Sequence, residues 1–216
     1  MTTSPKPPDD APTEPRGGHS YPWIPIRSLL EADRPAVLMH LLALDERDRY
    51  LRFGHLATDE QVQHYVEGID FARDEVFGVF NRRLELVAMA HLAYESAPRG
   101  AEACAEFGVS VASHLRGRKL GERLFAHAEL HARNRGVHTL VVHALSENAP
   151  MLRIARQAGA TVERHGAESQ ALVRLPPDNL ASHVEALVGE GAAGLDYRIK
   201  REVRRVDRLL ASIVGH

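Results

Sequence analysis

Ala105-Glu106-Phe107-Gly108-Val109-Ser110-Val111, followed four residues later by Arg116-Gly117-Arg118-Lys119-Leu120-Gly121-Glu122, decides how this chain is read. In the first part Phe107, Val109 and Val111 alternate with Glu106, Gly108 and Ser110, a period of two that gives a strand one apolar face and one small, polar face. The second part is a glycine- and cation-rich turn. It feeds a helical pattern expected from about Gly117 to Asn134, with Leu120, Leu124, Ala128 and Ala132 on one stripe and Gly136 as terminator. The first N–H groups of a helix have no partner within it and sit at the positive end of its dipole, so such a turn can cradle an anion. Gly117 and Gly121 permit close approach, while Arg116, Arg118 and Lys119 add positive charge. A solvated first turn has the same composition, so this segment needs support from its surroundings. It is neither a P-loop nor a dinucleotide fingerprint, because the glycine spacings of both are missing.

Support comes from the next elements. Val137–Leu145 is a β-branched strand, and Asn148 to Ala158 reads as an amphipathic helix stopped by Gly159. A Val-x-Val strand end, Arg116 to Gly121, a second strand and an Asn148-headed helix with Met151 resemble, in that order, the GNAT acetyltransferase superfamily. Its acyl-coenzyme A signature is Arg/Gln-x-x-Gly-x-Gly/Ala. Arg116 opens the motif and Gly121 closes it, while Lys119 stands where the middle glycine is usual. Arg49-Tyr50-Leu51-Arg52-Phe53 further resembles the acetyltransferase domain of bacterial protein lysine acetyltransferases. The resemblance covers about Trp23–Leu175. It implies an α/β (α+β) fold, a mixed, largely antiparallel sheet with helices on both faces. The strands Ala103–Ala112 and Val137–Leu145 should be parallel and splay apart. It also implies acetyl-CoA as co-substrate. Val109, Ser110 and Val111 would meet the pantetheine through their backbone, and residues Arg116, Gly117, Arg118, Lys119, Leu120, Gly121 and Glu122 would meet the pyrophosphate. Asn148 would either bond the cofactor or order its loop.

An amine must be neutral to attack a thioester. A lysine amine is neutral in only about one molecule in 2,500 at pH 7, a deficit of roughly 4.6 kcal/mol, so a base is needed. Glu106 lies on the small polar face just before the turn, and the resemblance makes it that base; Glu102 is the reserve. Ala155 occupies the place where many GNAT enzymes carry a tyrosine acid, so no side chain is assigned to protonate the thiolate. The implied reaction is direct acetyl transfer to a primary amine, on a protein lysine or a small molecule. A non-catalytic acyl-CoA-binding module is the alternative.

The rest of the chain sets the frame. Residues 1–20 hold five prolines and read as a disordered leader, residues 21–177 as the acyltransferase domain, and residues 178–216 as a helical tail. Within the domain, Trp23–Leu29 is expected as a strand, and a helix capped by Asp33 runs to about Leu44. Asp45–His55 reads as charged and irregular, and a capping box at Thr58 and Gln61 opens another helix. Val76–Phe80 with Leu84–Tyr94, and Thr161–Leu175, read as hairpins. The tail spaces Ile199, Val203, Val206, Leu210 and Ile213 as a short coiled-coil seam, expected to pack on its own domain or on a second copy to form a homodimer. A net charge of -2 gives no general attraction to nucleic acid or to a membrane, and Glu202 and Asp207 interrupt the basic run Arg198–Arg208. No stretch nears the roughly 18 apolar residues of a membrane span. A lone Cys104 fits a reducing compartment, so a cytoplasmic protein is expected. Of the 13 histidines, His127 and His131 sit one helical turn apart but lack a third ligand. They are read as solvated, His91 and His143 as hydrogen-bonded sheet residues, and no metal is expected.

Overall fold

The computed structural model of the chain describes residues 25–95 and 102–177, with Ala193 and Tyr197 beyond them. Its β-rich runs form seven strands: β1 (Arg27–Leu29), β2 (Glu75–Phe80), β3 (Leu86–Tyr94), β4 (Cys104–Val111), β5 (Thr139–Leu145), β6 (Thr161–His165) and β7 (Glu168–Arg174). They make one sheet in the order β1-β2-β3-β4-β5-β7-β6. Every neighbouring pair is antiparallel except β4 and β5, which are parallel. The mixed, largely antiparallel sheet expected from the sequence is therefore the one observed.

The period of two along the central strands sends alternate side chains into two cores. On one face Phe77, Val79, Ala88, Ala90 and Phe107 pack with Leu124, Phe125 and Ala128 of helix α4 (Leu120–Asn134) and with Leu152 and Ala155 of helix α5 (Ala149–Gln157). On the other, Val76, Phe80, Leu86 and Met89 pack with Val37 and Leu41 of α1 (Arg34–Leu42) and with Val62 and Val66 of α3 (Asp59–Glu67). Thr58 and Gln61 close the capping box reciprocally at the start of α3.

Three local expectations are corrected. The stretch from Asp45, expected to be irregular, forms helix α2 (Glu46–Phe53). Asp45 caps it by accepting the Asp48 N–H, and Gly54 ends it at φ 79°. Asp33 does not cap α1 through its side chain, because its carboxylate is taken by the Leu30 N–H and by Arg27. Helix α4 starts at Leu120 rather than Gly117, since Gly117 (φ 75°) and Lys119 (φ 58°) are both left-handed and no α-helix runs through such residues.

Ala193 is buried, and the Tyr197 ring lies 5.1 Å from Phe80 and 3.9 Å beneath the Arg27 guanidinium. At these two residues the tail packs on its own domain, and nothing among the described residues supports a homodimer. The leader, the basic run and the coiled-coil seam lie outside the described residues.

The histidines also differ from expectation. His127 and His131 are not solvated: each ring sits 4.7 Å from Phe77 on the inner side of α4. Burial, aided by His131, pulls the His127 pKa down to about 4. His40, inside α1, lies with Nδ1 3.0 Å from the Leu86 carbonyl and Nε2 2.9 Å from Ser110 Oγ. A carbonyl can only accept, so Nδ1 carries the proton and Nε2 accepts from the Ser110 hydroxyl. Burial again lowers this ring's pKa to about 4.

These two rings predict how stability follows pH. Unfolded, each titrates near 6.5, so between about pH 6.5 and 4 the unfolded chain binds protons that the folded protein refuses. Their contribution is complete above pH 6.5 and is lost as the pH falls through that window, on the order of 3 kcal/mol for each ring. Urea unfolding midpoints measured from pH 7 to pH 4.5 should drop steadily. A flat profile would contradict the buried, neutral state of both histidines.

Candidate active site

The β4–β5 pairing is short. Cys104, Ala105 and Glu106 face Thr139, Leu140 and Val141, and there the two strands part. Strand β4 stays paired with β3 as far as Val111, and β5 stays with β7 as far as Leu145. The main chain of residues 107–111 is thus left open on the side facing β5. Between the diverging strands lies a cleft of about 1270 Å³. Its walls include Glu106, Val109, Ser110, Val111, Arg116, Gly117, Lys119, Leu120, Gly121, Glu122 and Asn148, which are the residues expected at the site except Arg118.

At the far end of β4 the turn into α4 is built as an anion cradle. Among the described residues the amides of Gly117, Arg118, Leu120, Gly121 and Glu122 make no backbone hydrogen bond outside α4, and α4 has no side-chain cap. A Cβ on Gly117 would meet nothing within 4 Å, so the turn is open to the cleft. Lys119, where a glycine is usual, takes the left-handed backbone that a glycine would take. Its departure from the pattern changes the side chain but not the course of the main chain. These features fit a diphosphate: converging N–H groups, a dipole end and adjacent cations.

The side chains near the cleft are held in different ways. The Arg116 guanidinium is ion-paired with Asp48 of α2. Asn148 Oδ1 accepts the Met151 N–H at 3.2 Å, and its Nδ2 donates to the Leu51 carbonyl at 3.4 Å. Asn148 thus caps α5 and ties it to α2. His40 Nε2 occupies the Ser110 hydroxyl, which leaves the main chain of Ser110 as its part at the cleft wall. Glu106 is exposed on the cleft surface, whereas Glu102 is paired with Arg174 at 2.5 Å and is not in the cleft wall. Ala155 is fully buried, so α5 offers no hydroxyl there.

His91 is the hydrogen-bonded sheet residue expected, with Nδ1 2.7 Å from Tyr65 Oη and Nε2 3.2 Å from Asp74 Oδ2. His143 differs: it is exposed and lines the cleft, because it faces the gap that β4 vacates. The sequence reading also missed the wall formed by Arg47, Asp48, Leu51 and Arg52. The signal that could have found it was the Asp45 cap and Gly54 bracketing that run. No group of three or more His, Cys, Asp or Glu residues is placed to hold a metal ion among the described residues. Nor is any described helix long and apolar enough to cross a membrane.

The comparisons with known proteins agree with this geometry. A family model described as "Acetyltransferase (GNAT) family" matches residues 35–160, more than half of the chain. None of the curated proteins compared matches by sequence. Among solved structures, the GNAT domain of S. lividans PAT is similar at 19% identity and a TM-score of 0.58, over 69% of this chain and 89% of that one. The structure of yncA from Salmonella typhimurium, solved with its cofactor acetyl-CoA, is similar at 18% identity and a TM-score of 0.53, over 72% and 95%. The ribosomal-protein-alanine N-acetyltransferase from Brucella melitensis is similar at 22% identity and a TM-score of 0.50, over 68% and 96%. Likeness at these identities is likeness of fold.

The left-handed Lys119 yields a test of the turn. A side chain in this region costs about 1 kcal/mol, and a glycine there loses a similar amount in chain entropy. Lys119→Gly should therefore leave the melting temperature within about 4 °C, whereas β-branched Lys119→Val should lower it by more. A large loss in Lys119→Gly would show that the lysine side chain, not the backbone, holds the turn.

Proposed function

The chain belongs to the GNAT acetyltransferase family, and from that premise we propose that it transfers acetyl from acetyl-CoA to a primary amine by direct attack in a ternary complex. The observation that carries this proposal is the parting of β4 from β5 beside the left-handed turn at Gly117 and Lys119 that opens α4. A thioester with an extended, amide-bearing arm and a diphosphate needs both an open strand edge and an anion cradle, at that spacing and in that order.

Acetyl-CoA supplies the activated acyl carbon. The open main chain of Val109 to Val111 is suited to the amides of its arm, and the cradle to its diphosphate. Glu106, exposed in the cleft one turn of strand before that edge, accepts the proton of the incoming ammonium directly or through a water. The neutral amine then forms the C–N bond as the C–S bond breaks, and the nitrogen gives up its second proton to water to leave the neutral amide. With Ala155 buried, no hydroxyl of α5 meets the departing thiolate. A thiolate with a pKa of about 8.5 can leave and take its proton from water. A protein lysine and a small amine both satisfy this chemistry.

Glu106→Gln should lower kcat by about a hundredfold to ten-thousandfold, with affinity for acetyl-CoA kept. Acetylated product formed from an amine panel gives the rate, and calorimetry gives the affinity. Unchanged turnover would remove Glu106 from its role. Coenzyme binding without turnover of any amine by the parent protein would mark an acyl-CoA-binding module instead.

A further inference from the structure

Arg52 of α2 lines the cleft and is held differently from its neighbour Arg49 and from Arg116 across the wall. Arg49 reaches the Asp59 carboxylate at 2.5 Å and the Leu42 carbonyl at 2.6 Å, and Arg116 is paired with Asp48. Arg52 has no ion pair among the described residues. Among the described residues it has one hydrogen bond, from Nη2 to Tyr65 Oη at 2.6 Å, and its Nε is buried without an acceptor. The Phe53 and Tyr65 rings lie beside it, with centroids at 5.3 and 5.1 Å. Glu106 and Asp48 line the same cleft, but neither carboxylate is ion-paired with Arg52, so this guanidinium has capacity left for a further anion.

The group is also fixed in place. A Cβ on Gly108 would fall 2.7 Å from Arg52 Nη2, 2.8 Å from Cζ and 3.0 Å from Nη1, so the guanidinium plane lies against the bare backbone of Gly108. Behind it runs a chain of hydrogen bonds whose direction can be worked out. Burial and the Arg52 charge keep His91 below its ordinary pKa, so the ring is neutral. Asp74, although burial raises it, is held below the usual carboxylate range by Arg73 and His91 and is ionised. His91 Nε2 therefore donates to Asp74, and its bare Nδ1 accepts from the Tyr65 hydroxyl. Tyr65 Oη is left to accept from Arg52. All these protons point away from the cleft, and the chain serves to orient Arg52.

Gly108 follows Glu106 by one pleat on the same face of β4, about 6.5–7 Å along the strand. Arg52 thus lies beside the place where the amine must lose its proton. The diphosphate cradle, by contrast, lies beyond Val111. A lone ammonium is repelled by such a cation. A molecule with an amine and a carboxylate on the same or neighbouring carbons can present one to Glu106 and the other to Arg52 Nη1. Resting on the acetyltransferase reading of this cleft, we infer that the acceptor is a free amino acid and that Arg52 selects it by its carboxylate.

The test compares common L-amino acids with their carboxamides, which keep the amine and lose the anion. Calorimetry on the full chain loaded with coenzyme A measures binding, and acetyl-CoA turnover measures kcat/KM. The acid of at least one pair should exceed its amide by about 10- to 100-fold in both readouts. Arg52→Gln should bring that ratio close to one, and Arg52→Lys should keep only part of it. Melting curves identify a variant that fails to fold, and the acid-to-amide comparison in the parent protein stands without any variant. Amides or lysine peptides that bind and react as well as acids would overturn the inference, as would an undiminished ratio in a folded Arg52→Gln. If no amine of any kind is acetylated, the acetyltransferase reading fails, while the binding ratio still decides the role of Arg52.

Discussion

The geometry of the site depends on the early separation of two parallel strands. β4 and β5 pair over only three residues each, and afterwards each strand follows its antiparallel partner, β3 or β7. Backbone N–H and C=O groups must be satisfied somewhere. A strand edge opened inside the sheet therefore leaves main-chain groups that water or a ligand must satisfy. The divergence also turns Glu106 and His143 toward one cavity and gives α2 a place to lean across it.

What holds the opening is spread over both faces. On the α4 side, Phe107 packs against Phe125 at 4.9 Å, anchoring the apolar face of β4. On the α1 and α2 side, the polar face of β4 is received by specific partners, the ring of His40 at Ser110 and the guanidinium of Arg52 at Gly108. The small residues on that face leave room for them. The alternation that marks β4 as a strand thus serves packing on one side and site construction on the other.

Much of this was legible along the chain because it is local. The Thr58 capping box, the left-handed Gly136 and Gly159 after their helices, and the hairpin of β2 and β3 are set by residues a few positions apart. Helix α2 was harder to read, since its charged residues follow no apolar period and its stability comes from its caps and from the cleft wall it completes. The histidines of α4 were misjudged for a related reason. A ring at helical spacing has no way to signal that Phe77, fifty residues earlier in the chain, will lie beneath it.

By itself the sequence determined the alternation of β4, the run of left-handed and cationic residues after it, and the order of strands and helices that places the chain in its family. These depend on φ/ψ preferences and periodicity, which act over a few residues. Only the tertiary structure decided that Arg116 meets Asp48, that Asn148 ties α5 to Leu51, and that Arg52, Tyr65, His91 and Asp74 form one oriented chain. Those contacts join residues up to 97 positions apart, and a charge finds such a partner only after the two cores have brought the elements together.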